Sequence, residues 1–209
     1  MEILATLGRT LGFSLAAGVN LYATVAVLGL AARFEWVQLP EQFQVFNNPW
    51  VIGVAAVLYV IEFVADKIPW VDSIWDSVHT VIRPVGGALI AVAALGDASP
   101  VTVGLIALLG GTAAAGSHIT KAGTRVAINT SPEPFTNWFV SLAEDAFVIG
   151  LSLLTLKFPL LALLVSVTIL VMFVWLARRW WRWLRPGEPA PPVENLDRRG
   201  GNGVREGHP

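Results

Sequence analysis

Long runs without a charged residue constrain the fold of this chain more than any other feature of its sequence. Two of them, at residues 10–32 and 158–177, contain no aspartate, glutamate, lysine or arginine. A helix needs about 20 apolar residues to cross the hydrocarbon core of a bilayer, so each run is long enough to cross. Hydrophobic residues make up 55% of the 209-residue chain, a composition that is not typical of a soluble domain. The sequence therefore predicts an all-α integral membrane protein.

The other apolar segments complete a predicted bundle of about six transmembrane helices. Pro69 is expected to end the second span, and residues 71–83 to form a short amphipathic helix between spans two and three. The third run is too short to cross alone, so it either continues that helix with a kink or forms a re-entrant segment. The spans are expected at residues 10–32, 50–65, 85–96, from 101 onward, 138–156 and 158–177.

The C-terminal part of the chain has a different composition. Residues 1–180 are predicted to form the transmembrane domain, and 181–209 an interface anchor and tail. The arginines and tryptophans at 178–185 are typical of a cytoplasmic membrane interface, and the Pro-, Gly- and charge-rich segment after them predicts disorder. Six spans place both termini on the side that carries most of the basic residues, which the positive-inside rule predicts to be cytoplasmic.

Net charge and cysteine content exclude several classes of function. A formal charge of −1 gives no basic field that would attract nucleic acid. The absence of cysteine excludes disulfides, thiolate metal sites and cysteine nucleophiles. Helix faces rich in glycine and alanine allow close packing and predict a homo-oligomer, with membrane lipids as the other expected partners.

Ionisable residues are concentrated in three segments. The first runs from Glu62 to Arg83, the second spans the end of the fourth apolar run, and the third is an adjacent acidic pair. In the six-span arrangement all three segments lie at the cytoplasmic face, so acids and bases can approach one another. We expect an ion or ligand pathway there, because ionisable groups inside a membrane are costly unless they are paired or functional. Its residues are Glu62, Asp66, Arg83, His118, Lys121, Arg125, Glu144 and Asp145.

A purely structural role is the alternative for these side chains, because mutual pairing would hold the bundle together without chemistry. Glu62 illustrates the choice. It lies inside an apolar run, so it must be protonated or paired with a cation, and Lys121 and Arg125 are its expected partners.

Two kinds of ligand site are also compatible with the spacing. Asp72, Asp76 and His79 share one helix face and could hold a divalent cation such as Mg²⁺, completed by Glu62, Asp66 or His118. Basic side chains offer donors to an anion or phosphate instead, namely Arg83, Lys121 and Arg125. A nucleophilic triad has no catalytic motif around it to support it.

Several motifs resemble one known family. They include GVNLYAT (18–24), EFVADKIP (62–69), VDSIWDSVHT (71–80), TKAGTR (120–125) and NTSPEPFTNW (129–138). Over about residues 8–180 the chain resembles domain of unknown function 4126, a bacterial membrane family. The resemblance implies a multispanning protein of the bacterial inner membrane and no established activity.

Three functions are therefore open at this point. The first is a small transporter or channel-like protein with a cytoplasm-facing charged vestibule. The second is a membrane enzyme acting on a lipid headgroup or phosphate, with a divalent cation at Asp72, Asp76 and His79. The third is a non-catalytic assembly or scaffold protein.

Overall fold

The computed structural model describes residues 2–39, 41–129 and 134–184, and each regular element in these ranges is helical. The predicted all-α class is confirmed. The elements are α1 (Glu2–Val19), α2 (Leu21–Arg33), a 3₁₀ helix (Glu41–Asn47), α3 (Pro49–Ala65), α4 (Pro69–Leu95), α5 (Pro100–Asn129), α6 (Pro134–Lys157) and α7 (Pro159–Leu184).

Proline marks the start of most of the helices. A proline at the first helical position loses no hydrogen bond, because the first amides of a helix have no partner within it, and its φ is already helical. Asn48 adds a cap to α3 by accepting a hydrogen bond from the Trp50 amide at 2.8 Å. The starting prolines are Pro49, Pro69, Pro100, Pro134 and Pro159.

Helix length and composition support a membrane protein with fewer spans than the six predicted. Within the described ranges α4, α5, α6 and α7 are long and apolar enough to cross a membrane. The 3₁₀ helix and α3 together make a fifth candidate, bent by 64° at the break between them. Six spans are not confirmed. Residues 85–96 are not a separate segment, because α4 continues through Pro84 for 27 residues and includes the predicted amphipathic helix.

The apolar run at 10–32 is interrupted in its middle. Asn20 has an extended backbone (φ −147°, ψ 100°), and its side chain accepts a hydrogen bond from the Ala23 amide at 2.9 Å. This is the geometry of a helix N-cap, so α1 ends and α2 begins at this residue. The expectation of one continuous span over 10–32 is therefore wrong, because the backbone leaves the helical conformation at Asn20 and the side chain of this residue caps the next helix.

From Asn20 the chain returns to the end of the bundle from which it came. The start of α1 lines a groove with Lys157 and Phe158, and Gly12 of α1 faces Thr155 of α6. In α2, Leu28 belongs to the same apolar cluster as Leu156. Both arms thus lead from Asn20 toward the C-terminal end of α6, and we call this pair the α1–α2 hairpin. The start of the chain consequently lies at the Lys157 end of the bundle, whereas six crossings would place it at the opposite end.

α1 lies at the centre of the bundle, against α4, α5 and α6. Ser14 donates a hydrogen bond to the Gly87 carbonyl at 3.1 Å, and Ser117 donates one to the Leu15 carbonyl at 2.9 Å. A Cβ at Gly87 would collide with the Cβ of Ala114. The small residues expected to allow close packing are thus used within one chain at these positions, and the predicted homo-oligomer stays a prediction.

The described residues divide into two units, one that ends at residue 174 and one that begins at residue 175. In the second unit the described residues continue α7, and the Arg179 guanidinium lies 5.7 Å from the centre of the Trp175 ring. The proposed interface anchor is thus helical as far as residue 184. The predicted disordered tail lies outside the described residues.

Candidate functional site

The ionisable side chains meet where α3 ends, α4 and α6 begin and α5 ends. Their helices bring them together because each carries its charges on one buried face at this end of an otherwise apolar bundle. We call the connected set the charge network and this end of the bundle the charged end. The network consists of Glu62, Asp66, Asp76, Arg83, Lys121, Arg125 and Glu144.

Arg83 links three helices through its planar guanidinium. Its Nη2 donates to Glu62 Oε1 of α3 at 2.7 Å, and its Nη1 donates to His118 Nδ1 of α5 at 2.7 Å. Nη1 also lies 3.1 Å from Asp76 Oδ1 on its own helix. Arg83 and Glu62 are both fully buried, so this pair is removed from water. A buried pair of this kind persists only where the geometry is good and both charges are compensated.

Lys121 and Arg125 of α5 form the other half of the network. Lys121 Nζ lies 2.9 Å from Asp66 Oδ2 and 3.3 Å from Glu62 Oε1. Arg125 Nη2 lies 2.6 Å from Glu144 Oε2 and 3.2 Å from Asp66 Oδ2. Of the two cations expected at Glu62, only Lys121 is present, because Arg125 is turned toward Asp66 and Glu144.

An asparagine that the sequence analysis did not single out completes this half. Asn137 Oδ1 accepts a hydrogen bond from Arg125 Nη1 at 2.6 Å, and its Nδ2 donates to the Asp66 carbonyl at 3.2 Å. It therefore joins the end of α3 and the end of α5 to the first turn of α6. Its position, directly after a proline-rich connector, was the one sequence signal that could have identified it.

Hydrogen bonding defines the proton positions on His118. A guanidinium only donates, so His118 Nδ1 must be the acceptor in its bond to Arg83 and carries no hydrogen. Nε2 then carries the hydrogen and donates to Thr80 Oγ1 at 3.2 Å. Thr80 in turn donates to the Asp76 carbonyl at 3.0 Å. His118 is thus a neutral side chain that is hydrogen-bonded to Arg83 of the network.

The turn of the α1–α2 hairpin contacts the residues beside the network. Tyr22 Oη lies 2.8 Å from His79 Nε2, and His79 Nδ1 lies 2.7 Å from the Trp75 carbonyl. Because a carbonyl only accepts, Nδ1 carries the hydrogen. Asn20 Nδ2 donates to Asp145 Oδ1 at 3.3 Å. Non-helical backbone thus reaches the charged interior, an arrangement that is tolerated at membrane depth only when protein or water covers it.

The residues predicted to hold a metal ion are all buried. Asp72, Asp76 and His79 are at most 5% exposed, on the inner face of α4. Asp76 contacts Arg83, and His79 contacts Tyr22. Asp72 acts electrostatically on Arg125. In the part of the chain that the structure describes, no group of three or more His, Cys, Asp or Glu is placed to hold a metal ion.

Lys67 lies in the connector between α3 and α4, beside the network. Its Nζ donates to the Phe63 carbonyl at 2.8 Å and to Ser141 Oγ at 3.2 Å, and lies 3.1 Å from the centre of the Phe63 ring. Partial burial lowers the pKa of Lys67, while the carboxylates of Asp145 and Asp66 act in the opposite direction. The direct contacts of the Lys67 ammonium described above are thus with uncharged groups.

Most of the pathway residues predicted from the sequence lie together. Seven of the eight form direct contacts, and the eighth, Asp145, lies beside them and binds Asn20. The seven are Glu62, Asp66, Arg83, His118, Lys121, Arg125 and Glu144. Asn20 and Tyr22 are not among the predicted pathway residues, because nothing in an uncharged run indicates a chain reversal.

Acidic side chains outnumber basic ones in the buried charged region. The buried region holds more carboxyl groups than lysines and arginines, since the described acids Glu62, Asp66, Asp72, Asp76, Glu144 and Asp145 face Lys67, Arg83, Lys121 and Arg125. If all of these groups were ionised, the region would carry a net negative charge, and binding of at least one proton or cation would bring it closer to neutrality. Buried oxygens of Glu62, Asp66 and Asp145 also have no hydrogen-bond partner within the described ranges.

Comparison with known proteins places the chain in a family. Residues 7–179 match the family model described as Domain of unknown function (DUF4126). No curated protein and no solved structure matches the chain. Because the matched segment includes the α1–α2 hairpin, the charge network and nearly all of the helical part, the chain belongs to the family of domain of unknown function 4126.

Proposed function

We propose that this protein is a small membrane transporter that moves protons or a small cation through the charge network. The observation that carries this proposal is the α1–α2 hairpin, which turns at Asn20 inside the bundle and contacts the buried charged residues. Broken helices beside buried charges are typical of secondary transporters, in which they line the substrate site. Ionisable residues inside an apolar bundle likewise mark ion pathways in many membrane proteins.

The proposed orientation places the charged end toward the cytoplasm of a bacterial inner membrane. Lys67, Lys121 and Arg125 belong to that end, whereas Lys157 lies at the end of α6, on the opposite side. The positive-inside rule then assigns the charged end to the cytoplasm.

A scaffold role is the rival function, and a specific observation favours it. Arg83, Lys121 and Arg125 each contact at least two carboxylates within 4 Å, which holds α3, α4, α5 and α6 together without any ligand. A transporter needs charges that separate or exchange partners during the cycle. Measurement of ion movement distinguishes the two functions.

The test is proton movement in sealed vesicles that contain the purified protein and an enclosed pH indicator. With an imposed membrane potential, we expect the wild-type protein to change the internal pH faster than protein-free vesicles do. Glu144→Gln removes one of the two carboxylates at Arg125 and should slow the change. Thr168→Val is the control, because this exposed hydroxyl bonds only to the Leu164 carbonyl of its own helix. Wild-type vesicles that behave like protein-free vesicles, with protons and with alkali cations, would support the scaffold role instead.

A further inference from the structure

Asp145 differs from the other acids that surround the network. Glu62, Asp66 and Glu144 each lie within 3.3 Å of a lysine or arginine nitrogen. Asp145 is also buried, with 6% of its surface exposed, yet none of the described lysine or arginine nitrogens lies within 4 Å of it. Its Oδ1 accepts from Asn20, and its Oδ2 is buried without a hydrogen-bond partner in the described ranges.

The orientation of Asn20 explains why its amide group faces this carboxyl. Asn20 Oδ1 is used as the N-cap of α2, where it accepts from the Ala23 amide. Its Nδ2 is therefore the group that remains for Asp145 Oδ1. The break in the helix and the position of the acid are thus parts of one structure, at the turn of the α1–α2 hairpin.

The charged groups that face Asp145 do not supply a counter-charge of its own. They are Glu62 on α3, Asp66 directly after it, Lys67 in the connector and Lys121 on α5, together with the Tyr59 hydroxyl on α3. Lys121 already contacts Glu62 and Asp66, and Lys67 is bound to the Phe63 carbonyl and Ser141. An ionised Asp145 would be a buried charge next to two other carboxylates, which is unfavourable.

We infer that Asp145 is the proton-binding site of this protein, a neutral carboxylic acid held by Asn20 at the turn of the α1–α2 hairpin. This inference rests on the proposed function, and it identifies the side chain that carries the proton during transport. The O–H bond of Asp145 breaks when water on one side of the membrane accepts the proton, and it forms again with a proton from the other side. No electrons are transferred and no other group is consumed.

The first experiment detects the proton directly. Infrared spectra of the purified full-length protein at neutral pH should contain the carbonyl stretch of a protonated carboxylic acid, and this band should disappear in Asp145→Asn. Asp97→Asn is the matched control, because Asp97 is an exposed acid in the connector after α4. Asp145→Asn should fold normally, since an amide replaces a neutral acid of the same shape. Identical wild-type and Asp145→Asn spectra in this region would overturn the inference.

The second experiment separates failure of this inference from failure of the proposed function. In the vesicle assay, Asp145→Asn should abolish proton movement and Asp145→Glu should restore part of it. Normal proton movement with Asp145→Asn overturns the assignment and leaves the transporter proposal intact. A wild-type protein that shows the band but moves neither protons nor alkali cations refutes the transporter proposal, and with it the carrier role of Asp145.

Discussion

Glu62 is the residue on which the packing of the charge network depends most. It is fully buried on α3, and its Oε1 receives Arg83 of α4 and Lys121 of α5. One carboxylate thus compensates two cations from two other helices. Removal of a buried charge from such a pair costs more than the pair itself contributes, because it leaves the partner charges uncompensated.

Glu62→Gln should therefore lower the free energy of unfolding by about 3–5 kcal/mol. The glutamine keeps the shape of the side chain and loses its charge, so Arg83 and Lys121 are each left with fewer carboxylates. Denaturation of the detergent-solubilised protein measures the change, with Glu41→Gln on the exposed 3₁₀ helix as the control. Equal stability of the two variants would show that Glu62 does not serve as a structural partner.

Arg83→Lys tests whether the guanidinium geometry matters beyond its charge. A lysine ammonium cannot reproduce the fork that binds Glu62 through one nitrogen and His118 through the other. Loss of one charge-assisted hydrogen bond should cost about 1.5–3 kcal/mol. Arg33→Lys, at the exposed end of α2, is the matched control and should unfold like the wild type. A fully stable Arg83→Lys protein would contradict the contacts described.

At the scale of residues, the sequence predicted which side chains belong to the charge network better than it predicted which cation contacts which acid. Helical spacing correctly indicated that Asp72, Asp76, His79 and Arg83 share one face of a helix, because periodicity alone determines that. The burial of this face is a finding of the structure. Spacing does not determine which cation meets which acid. Arg125 binds Glu144 rather than Glu62, a choice that depends on how α5 and α6 pack.

At the scale of elements, the α1–α2 hairpin is the feature that the sequence did not predict. The run 10–32 has the length and composition of a transmembrane helix, and a single asparagine in it is compatible with a continuous helix. The break is favoured by tertiary contacts, because Asn20 reaches Asp145 and Tyr22 reaches His79. By contrast, the prolines that start α3 to α7 are local signals, and most helix starts were predictable from them.

Close packing of α1, α4 and α5 leads to a prediction about glycine. Gly87→Val should lower the free energy of unfolding by about 1–3 kcal/mol, because the added side chain would collide with Ala114 and separate α4 from α5. Gly104→Val is the control, since a Cβ at that exposed position meets no atom within 4 Å. The same denaturation assay compares them, and a Gly87→Val protein as stable as Gly104→Val would contradict the packing described here.

At the scale of the whole molecule, the hairpin changes how the chain is threaded through the membrane. The start of α1 and the end of α2 both lie at the Lys157 end, so the connector after α3 is the first connector between helices at the charged end. The start of the chain and the α3–α4 connector therefore lie at opposite ends of the bundle. Six crossings would place them at the same end.

Accessibility of single cysteines to a membrane-impermeant thiol reagent, in intact and in permeabilised cells, tests this threading most directly. The natural chain contains no cysteine, so each variant reports one position. We expect Glu2→Cys, Gln38→Cys and Asp97→Cys to react from one side of the membrane, and Ile68→Cys in the α3–α4 connector to react from the other. Reaction of Glu2→Cys from the same side as Ile68→Cys, opposite to Gln38→Cys, would contradict the hairpin and restore a crossing by residues 10–32.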